Sequence, residues 1–344
     1  MPRHLRNKQC RQQLKERGIE KDMARFLITG AAGFIGSSLA HELVQQGHDV
    51  RGVDNLACGD VHNLDPIFDH IDFHIIDIND TTRLRECCRG VDYVLHQAAL
   101  ASVPLSIKDP LRSHIANVDG TLSVLIAARD AGVSRVVYAA SSSAYGEQPS
   151  QPKHEAMLPS PISPYATQKL AGEHYVKAFW QSYGLEGVSL RYFNVFGPRQ
   201  RADSPYSGVI ARFISDMLED EPSTIFGTGA QSRDFTFIDN VVSANLLACF
   251  APCEDVAGMV FNIGTGESQS LNSLYLTIAD LLSFPRPACY GPPRAGDIEH
   301  SEADISRARS ALGYVPLGSF KQGLRSTVEW YSEIRDESKR LLQK

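Results

Sequence analysis

The stretch Gly30-Ala31-Ala32-Gly33-Phe34-Ile35-Gly36 constrains this chain more than any other, because of what flanks it. Before it, Arg25 to Thr29 is an apolar run of strand length; after it, Ser37 to Gln46 carries helical periodicity and stops at Gly47. Three glycines between a strand and a helix let the backbone turn tightly and approach a pyrophosphate, which then rests on the N–H groups at the positive end of the helix. A second strand, Asp49 to Val53, runs into Asp54, 18 residues beyond Gly36. A carboxylate there can accept hydrogen bonds from adenosine ribose hydroxyls and disfavours a 2′-phosphate, so NAD is expected rather than NADP.

The alternation continues. Strands are expected at Phe73 to Ile76, Tyr93 to His96 and Arg135 to Ala140, with helices near Thr81 to Cys88 and through Leu111 to Ala131. Repeated strand and helix units of this length imply an α/β fold, a Rossmann-type doubly wound parallel sheet covered on both faces. Ligands then gather outside the carboxyl ends of the strands, where Gly30, Asp54, Asp77, Gln97 and Ser141 fall. Beyond a strand at Gly187 to Leu190 the elements become shorter and mixed, which suggests a smaller mixed α/β lobe that closes over the cofactor. The expected division is an extension at 1–22, a dinucleotide-binding domain at 23–190 and mainly the substrate lobe at 191–344, some of whose segments return to the first domain.

Within this frame one helix start stands out. Ser163-Pro164-Tyr165-Ala166-Thr167-Gln168-Lys169 opens a helix expected to run to about Tyr183, with Pro164 suited to its first turn. Tyr165 and Lys169, four residues apart, share a helix face. An ammonium beside a phenol favours the phenolate, so Tyr165 could act as a base well below its ordinary value of about 10. Ser141-Ser142-Ser143 follows the fifth strand and should face the same crevice, although serine runs also serve as turns and caps. In the lobe, Arg233 and Arg294 present forked, permanently charged donors that suit a diphosphate, as they also suit surface ion pairs.

Composition excludes several classes. Charged residues make up 22% of the chain with a net charge of −6, too acidic to suggest nucleic acid or an anionic membrane, and no apolar run is long enough to span a bilayer. The seven cysteines are odd in number and scattered without a C-x-x-C, so neither a disulfide framework nor a metal site is expected. That usage fits a cytoplasmic protein. The first 22 residues are charged and lack the apolar core of a secretory signal.

Together, TGAAGFIG at Thr29 to Gly36, Asp54, HQAA at His96 to Ala99, SSSAYG at Ser141 to Gly146, SPYATQK and RYFNVFGPRQ at Arg191 to Gln200 resemble the extended short-chain dehydrogenase/reductases. Among these the chain is similar to the UDP-hexose 4-epimerases, from Phe26 to about Tyr331. VLHQAALASVP, DFTFIDN and GDIEHSEADISRA resemble most the bacterial UDP-N-acetylglucosamine 4-epimerases of surface-polysaccharide pathways. The resemblance implies that Tyr165 is the base, that Lys169 holds the cofactor ribose and depresses the Tyr165 pKa, and that Ser141 hydrogen-bonds the reacting hydroxyl. It further implies NAD contacts at Gly30, Gly33, Phe34, Ile35, Gly36, Asp54, Asn55, Asp77, Ile78, Gln97, Ala98, Ala99, Asn117 and Tyr192. For a UDP-sugar it implies contacts at Asn194, Val209, Arg233, Arg294 and Asp297 on the nucleotide side and Ser102, Ser142, Ser143 and Ser301 on the sugar side. Relatives pair as homodimers through helices matching Leu111 to Ala131 and Tyr165 to Tyr183.

Departures from related patterns narrow the reaction. Dehydratases on this scaffold place an Asp-Glu pair after the serine or threonine, and decarboxylases tend to a glutamate at the second position; here Ser142 and Ser143 supply neither acid nor base at neutral pH. Epimerisation through a 4-keto sugar, which rotates and takes its hydride back on the other face, is therefore expected. Ser301 stands where epimerases restricted to UDP-glucose and UDP-galactose often carry tyrosine, so UDP-GlcNAc and UDP-GalNAc are expected substrates, with UDP-Glc and UDP-Gal besides. Leu105 departs from the arginine of close relatives. The competing readings are a UDP-glucuronate 4-epimerase or decarboxylase, which would need a cation near C6, and a non-catalytic nucleotide sensor, which would lack Tyr165 or Lys169.

Overall fold

The computed structural model describes residues 23–202, 208–293 and 299–342. Its centre is a seven-stranded parallel sheet of β1 (Arg25–Thr29), β2 (Asp49–Asp54), β3 (Asp72–Ile75), β4 (Tyr93–His96), β5 (Arg135–Ser141), β6 (Glu186–Tyr192) and β11 (Val260–Ile263). The strand order is β3-β2-β1-β4-β5-β6-β11, so the direction of winding reverses between β1 and β4. This is the doubly wound arrangement expected from the sequence, and its ligand crevice lies at that reversal.

The strands read as near-continuous apolar runs because both sheet faces are covered. Successive residues alternate between two cores: Phe26, Ile28, Leu95, Val137 and Ala139 enter one, while Leu27, Val94, Val136, Tyr138 and Ala140 enter the other. Against the second face lie α2 (Thr81–Cys87), α5 (Gly120–Ala131) and α6 (Pro164–Tyr183). Two short helices, α3 (Val103–Lys108) and α4 (Pro110–His114), precede α5, and a π-helical turn at Ile115–Asp119 joins α4 to α5. The first face is covered by α1 (Phe34–Gln45) and by α8 (Ile238–Phe250), which returns from the later part of the chain to pack on α1, as β11 returns to pair with β6.

The remaining strands are short. Parallel pairs join β7 (Val195–Phe196) to β10 (Thr236–Phe237) and β8 (Thr224–Phe226) to β13 (Cys289–Gly291); β9 (Ser232–Arg233) lies between β12 (Gln269–Ser270) and β14 (His300–Ser301). Around them stand α7 (Val209–Leu218), α9 (Cys253–Val256), α10 (Leu271–Leu282), α11 (Ser306–Leu312) and α12 (Phe320–Leu342). Aromatic packing centres this lobe: Phe235 stacks on Phe320 at 5.9 Å, and Phe196 lies 5.6 Å from both Phe237 and Phe320. The loop after β5 is stitched to the lobe, where Lys153 N–H donates to the Glu302 carbonyl and Asp304 N–H to the Lys153 carbonyl, both at 2.8 Å. No helix among the described residues is long and apolar enough to cross a membrane.

Candidate active site

The glycine turn is built by exclusion of side chains. Gly30 sits at φ +70°, and a Cβ there would come within 2.8 Å of the Ala98 nitrogen at the end of β4. A Cβ on Gly36 would lie 2.0 Å from the Gly30 carbonyl oxygen. Gly33 is the N-cap of α1 and brings no side-chain acceptor to the helix's first N–H groups, which open toward the crevice with Phe34 and Ile35 in the first turn. At the end of β2, Asp54 accepts from Ala32 N–H at 3.0 Å and Leu56 N–H at 2.8 Å. Burial raises its pKa, and these backbone donors draw it back down. Each oxygen keeps a lone pair for a ribose hydroxyl.

Asn55 donates to Asp77 at 2.8 Å, joining the exposed ends of the next two strands, and Ile78 is buried below them. At the β4 end, Ala98 and Ala99 are half-buried, and Ala98 N–H donates to Thr29 Oγ1 at 3.3 Å. Gln97 closes a buried triangle: it accepts from the Tyr192 hydroxyl at 3.3 Å and donates to Asn245 at 3.2 Å, while Asn245 donates to Tyr192 at 2.8 Å. Asn117 lies in the π-helical turn and is buried. Its amide engages the Leu100 backbone in both directions, Ser113, and Gln168 at 2.9 Å, so it fastens α6 to the loop after β4.

Ser141 ends β5 and caps the following 3-10 turn, accepting from the Ser143 N–H at 3.2 Å and from its hydroxyl at 2.8 Å. Across from it, α6 starts where the sequence chemistry demands: Ser163 caps by accepting from Ala166 N–H at 3.2 Å, Pro164 occupies the first turn, and Gly184 ends the helix at φ 72°. The Tyr165 N–H is further held by Ser106 Oγ at 3.1 Å. The result brings Ser141, Tyr165 and Lys169 together. Ser141 lies near enough to the Tyr165 hydroxyl to lower its pKa, and the Lys169 ammonium, 4% exposed, donates to the Ala139 carbonyl at 2.8 Å and lies 5.0 Å from the Tyr138 ring centre.

One expectation is corrected here. Within the protein alone the Tyr165 pKa is raised, because burial outweighs the Ser141 hydrogen bond that lowers it. Lys169 is itself brought down to about 8 by burial, with only Glu173 opposing. The same interior disfavours the charged form of both groups.

On the substrate side, Ser102 caps α3 by accepting from Leu105 N–H at 3.2 Å, and Ser142 and Ser143 form the turn after Ser141. Asn194 donates to the Asp234 carbonyl at 3.3 Å, and Val209 begins α7. Arg233 donates to the carbonyls of Ser232 at 2.9 Å and Glu299 at 3.2 Å. Its strand neighbour in β14 is Ser301, which is buried. Arg294 and Asp297 lie outside the described residues.

Three residues with structural claims on the site carried no role in the sequence reading. Asn245 completes the triangle with Gln97 and Tyr192. Asp234, fully buried, accepts from the N–H groups of Thr265, Gly266 and Ala303 and so fixes the segments beside Arg233 and Ser301. Glu173, four residues beyond Lys169, pairs with Arg191. Helical spacing alone could have pointed to Glu173, whereas the other two contacts span distant segments.

This crevice, glycine turn and serine–tyrosine–lysine cluster are those of a nucleotide-dependent oxidoreductase scaffold. The chain belongs to the NAD dependent epimerase/dehydratase family, whose model matches residues 26–264. It is 39% identical over 313 residues to a UDP-glucose 4-epimerase of Mycolicibacterium smegmatis, covering 89% of this chain and 98% of that protein. The UDP-N-acetylglucosamine 4-epimerase of Methanobrevibacter ruminantium M1, solved in complex with UDP-N-acetylmuramic acid, superposes with a TM-score of 0.87 at 39% identity over 91% of this chain and 99% of its own. The UDP-glucuronic acid 4-epimerase of Bacillus cereus, solved with UDP-glucuronic acid and NAD, gives 0.84 at 32% identity over 90% and 99%. The protein is thus an NAD-dependent isomerase of the UDP-sugar 4-epimerase family. The side-chain-free cradle of Gly30, Gly33 and Gly36 and the acid at Asp54 fit NAD.

Proposed function

We propose that the protein interconverts the C4 epimers of a UDP-N-acetylhexosamine, UDP-GlcNAc and UDP-GalNAc, and also accepts UDP-Glc and UDP-Gal. The observation that carries this reading is the cluster of Ser141, Tyr165 and Lys169 at the sheet edge, with hydroxyls and no carboxylate at Ser142 and Ser143. Tyr165 removes the proton from the sugar 4-hydroxyl while Ser141 holds that oxygen by a hydrogen bond. Bound NAD supplies a reversible hydride acceptor for C4. Lys169 stabilises the phenolate from below and anchors the cofactor's ribose. With no acid at the two positions after Ser141, elimination across C5 and C6 has no proton donor from this turn, and the keto sugar has only reduction open to it. Arg233, Asn194, Arg294 and Asp297 grip the diphosphate and uridine, leaving the sugar free to turn over before Tyr165 returns the proton.

Ser301, a small buried side chain paired in register with Arg233, supports acetylated sugars, because a tyrosine at this position would be far bulkier. A glucuronate substrate would call for a cation at C6, and the serine turn provides none. The protein is further read as a cytoplasmic homodimer.

The test is incubation of the purified protein with UDP-GlcNAc, UDP-Glc and UDP-GlcA without added NAD, the products being resolved by NMR. Conversion of the acetylated sugar is expected, and no conversion of any sugar even with NAD supplied would end the proposal. Tyr165→Phe should retain NAD and lose turnover by a factor of about 10² to 10⁴; undiminished turnover would remove Tyr165 from the mechanism.

A further inference from the structure

Tyr165, Lys169 and Glu173 stand at i, i+4 and i+8 of α6 and so share one face of the helix. The mechanism uses the first two. The third is 3% exposed and gripped by both prongs of Arg191 in β6, itself 4% exposed: Oε1 accepts from Nε at 2.9 Å and Oε2 from Nη2 at 2.7 Å. In the sheet Arg191 lies opposite Ala140, the residue before Ser141, and its guanidinium stands 4.6 Å from the Tyr145 ring centre. An ion pair is therefore sealed directly behind the reacting cluster. Buried pairs of this kind are weak stabilisers compared with apolar side chains of the same volume, because both charges lose their water. Its position suggests what it does instead.

The charged and titratable groups around Lys169 come from four elements. Its own helix contributes Tyr165 and Glu173, β5 contributes Tyr138, β4 contributes His96, and β6 contributes Arg191 behind Glu173. Among these Glu173 is the one carboxylate. We propose that Glu173, fixed by Arg191 one helical turn beyond Lys169, is a positioning residue for the reaction, its charge keeping Lys169 an ammonium where the Ala139 carbonyl holds it. This rests on the Tyr165–Lys169 reading of the site. Burial pulls the Lys169 proton affinity down to about 8, and the charge on Glu173 is what opposes the fall. Neutral glutamine at 173 removes that opposition and leaves the Arg191 cation unbalanced, and both changes disfavour a second cation at Lys169.

Two readouts test this. In protein carrying [ε-¹³C]lysine, the Lys169 signal, assigned by its loss in Lys169→Met, is titrated by NMR in wild type and in Glu173→Gln. The midpoint is expected to fall by about one pH unit or more in the variant. In the holoenzyme, kcat of Glu173→Gln should decline with rising pH at a correspondingly lower pH than wild type. Should the single variant fail to fold, Glu173→Gln with Arg191→Met removes both charges of the ion pair together and is expected to shift Lys169 in the same direction by a smaller amount. A Lys169 midpoint unchanged in a folded variant would overturn the proposal and leave Glu173 as a structural residue. The Tyr165→Phe assay judges the underlying reading separately, because the lysine titration does not depend on turnover.

Discussion

His96 at the end of β4 has both ring nitrogens engaged, Nδ1 with Thr29 Oγ1 at 2.7 Å and Nε2 with Thr121 Oγ1 at 3.0 Å. It is buried, and burial first, then the Lys169 charge, lowers its pKa from 6.5 to about 3. The folded protein therefore holds this ring neutral where the unfolded chain would protonate it. The stability so gained is complete above about pH 6.5 and is lost as pH falls toward 3. At pH 5 the loss amounts to about 2 kcal/mol relative to pH 7.5, at roughly 1.4 kcal/mol per pH unit for one proton. His96→Gln, which keeps hydrogen-bonding capacity without a titrating ring, should show a smaller drop in urea stability between those pH values; an equal drop would assign the acid sensitivity elsewhere. At this scale the sequence was informative about neighbours in the chain and uninformative about proton affinities. Tyr165 and Lys169 could be paired by helical spacing, yet the direction of the Tyr165 shift depends on how deeply α6 and β5 enclose it, and no local pattern records that. The Glu173–Arg191 pair shows the same divide, since its two halves lie on a helix and a strand that only the folded sheet brings into contact.

The elements themselves were most legible where local chemistry and tertiary packing agree. The strand from Tyr93 to His96 occupies the residues expected for it, and α6 begins and ends at its Ser163 and Gly184 signals. Agreement weakens where tertiary pairing extends an element. β6 runs to Tyr192, two residues past its expected end, because β5 and β11 pair with it on either side. The π-helical turn at Ile115–Asp119 and the 3-10 segment Val61–His70 have no periodicity that would announce them. The glycine turn is the opposite case, an element whose sequence is its mechanism. Gly36→Ala would drive a methyl group to 2.0 Å from the Gly30 carbonyl oxygen, so either α1 or the turn must move. We expect a destabilisation of about 1–3 kcal/mol in urea unfolding, typical of overpacking, together with loss of co-purifying NAD measured by absorbance after denaturation. NAD content equal to that of wild type would show that the pyrophosphate does not rely on this close approach.

For the whole molecule, the question is what covers the outer surface of α3 to α6. The α6 helix is fastened there from outside: Ser113 donates to Gln168 at 2.6 Å, Asn117 at 2.9 Å, and Ser106 accepts from the Tyr165 N–H. Just beyond these polar fasteners, Ile107, Leu111 and Ile115 lie 64%, 69% and 44% exposed, with Tyr183 57% exposed at the far end of α6. Leu111 and Ile115 are four residues apart and so stand on one face of consecutive helical turns. A single exposed apolar side chain needs no explanation, but a row of them beside a catalytic helix suits the symmetric helix pairing proposed for this protein. In a two-fold pair each α6 would be braced by its partner, so dissociation should reach the site through the Gln168 and Ser106 fasteners. Leu111→Glu places a charge in the centre of that row without touching Tyr165, Lys169 or Ser141. The wild type is expected to show twice the chain mass by light scattering coupled to size exclusion, and the variant the mass of one chain, with an unchanged far-ultraviolet spectrum and a lower turnover per subunit that recovers at higher protein concentration. A variant that remains paired would place the contact on another face, and a wild type that runs as a single chain would leave α6 without a partner.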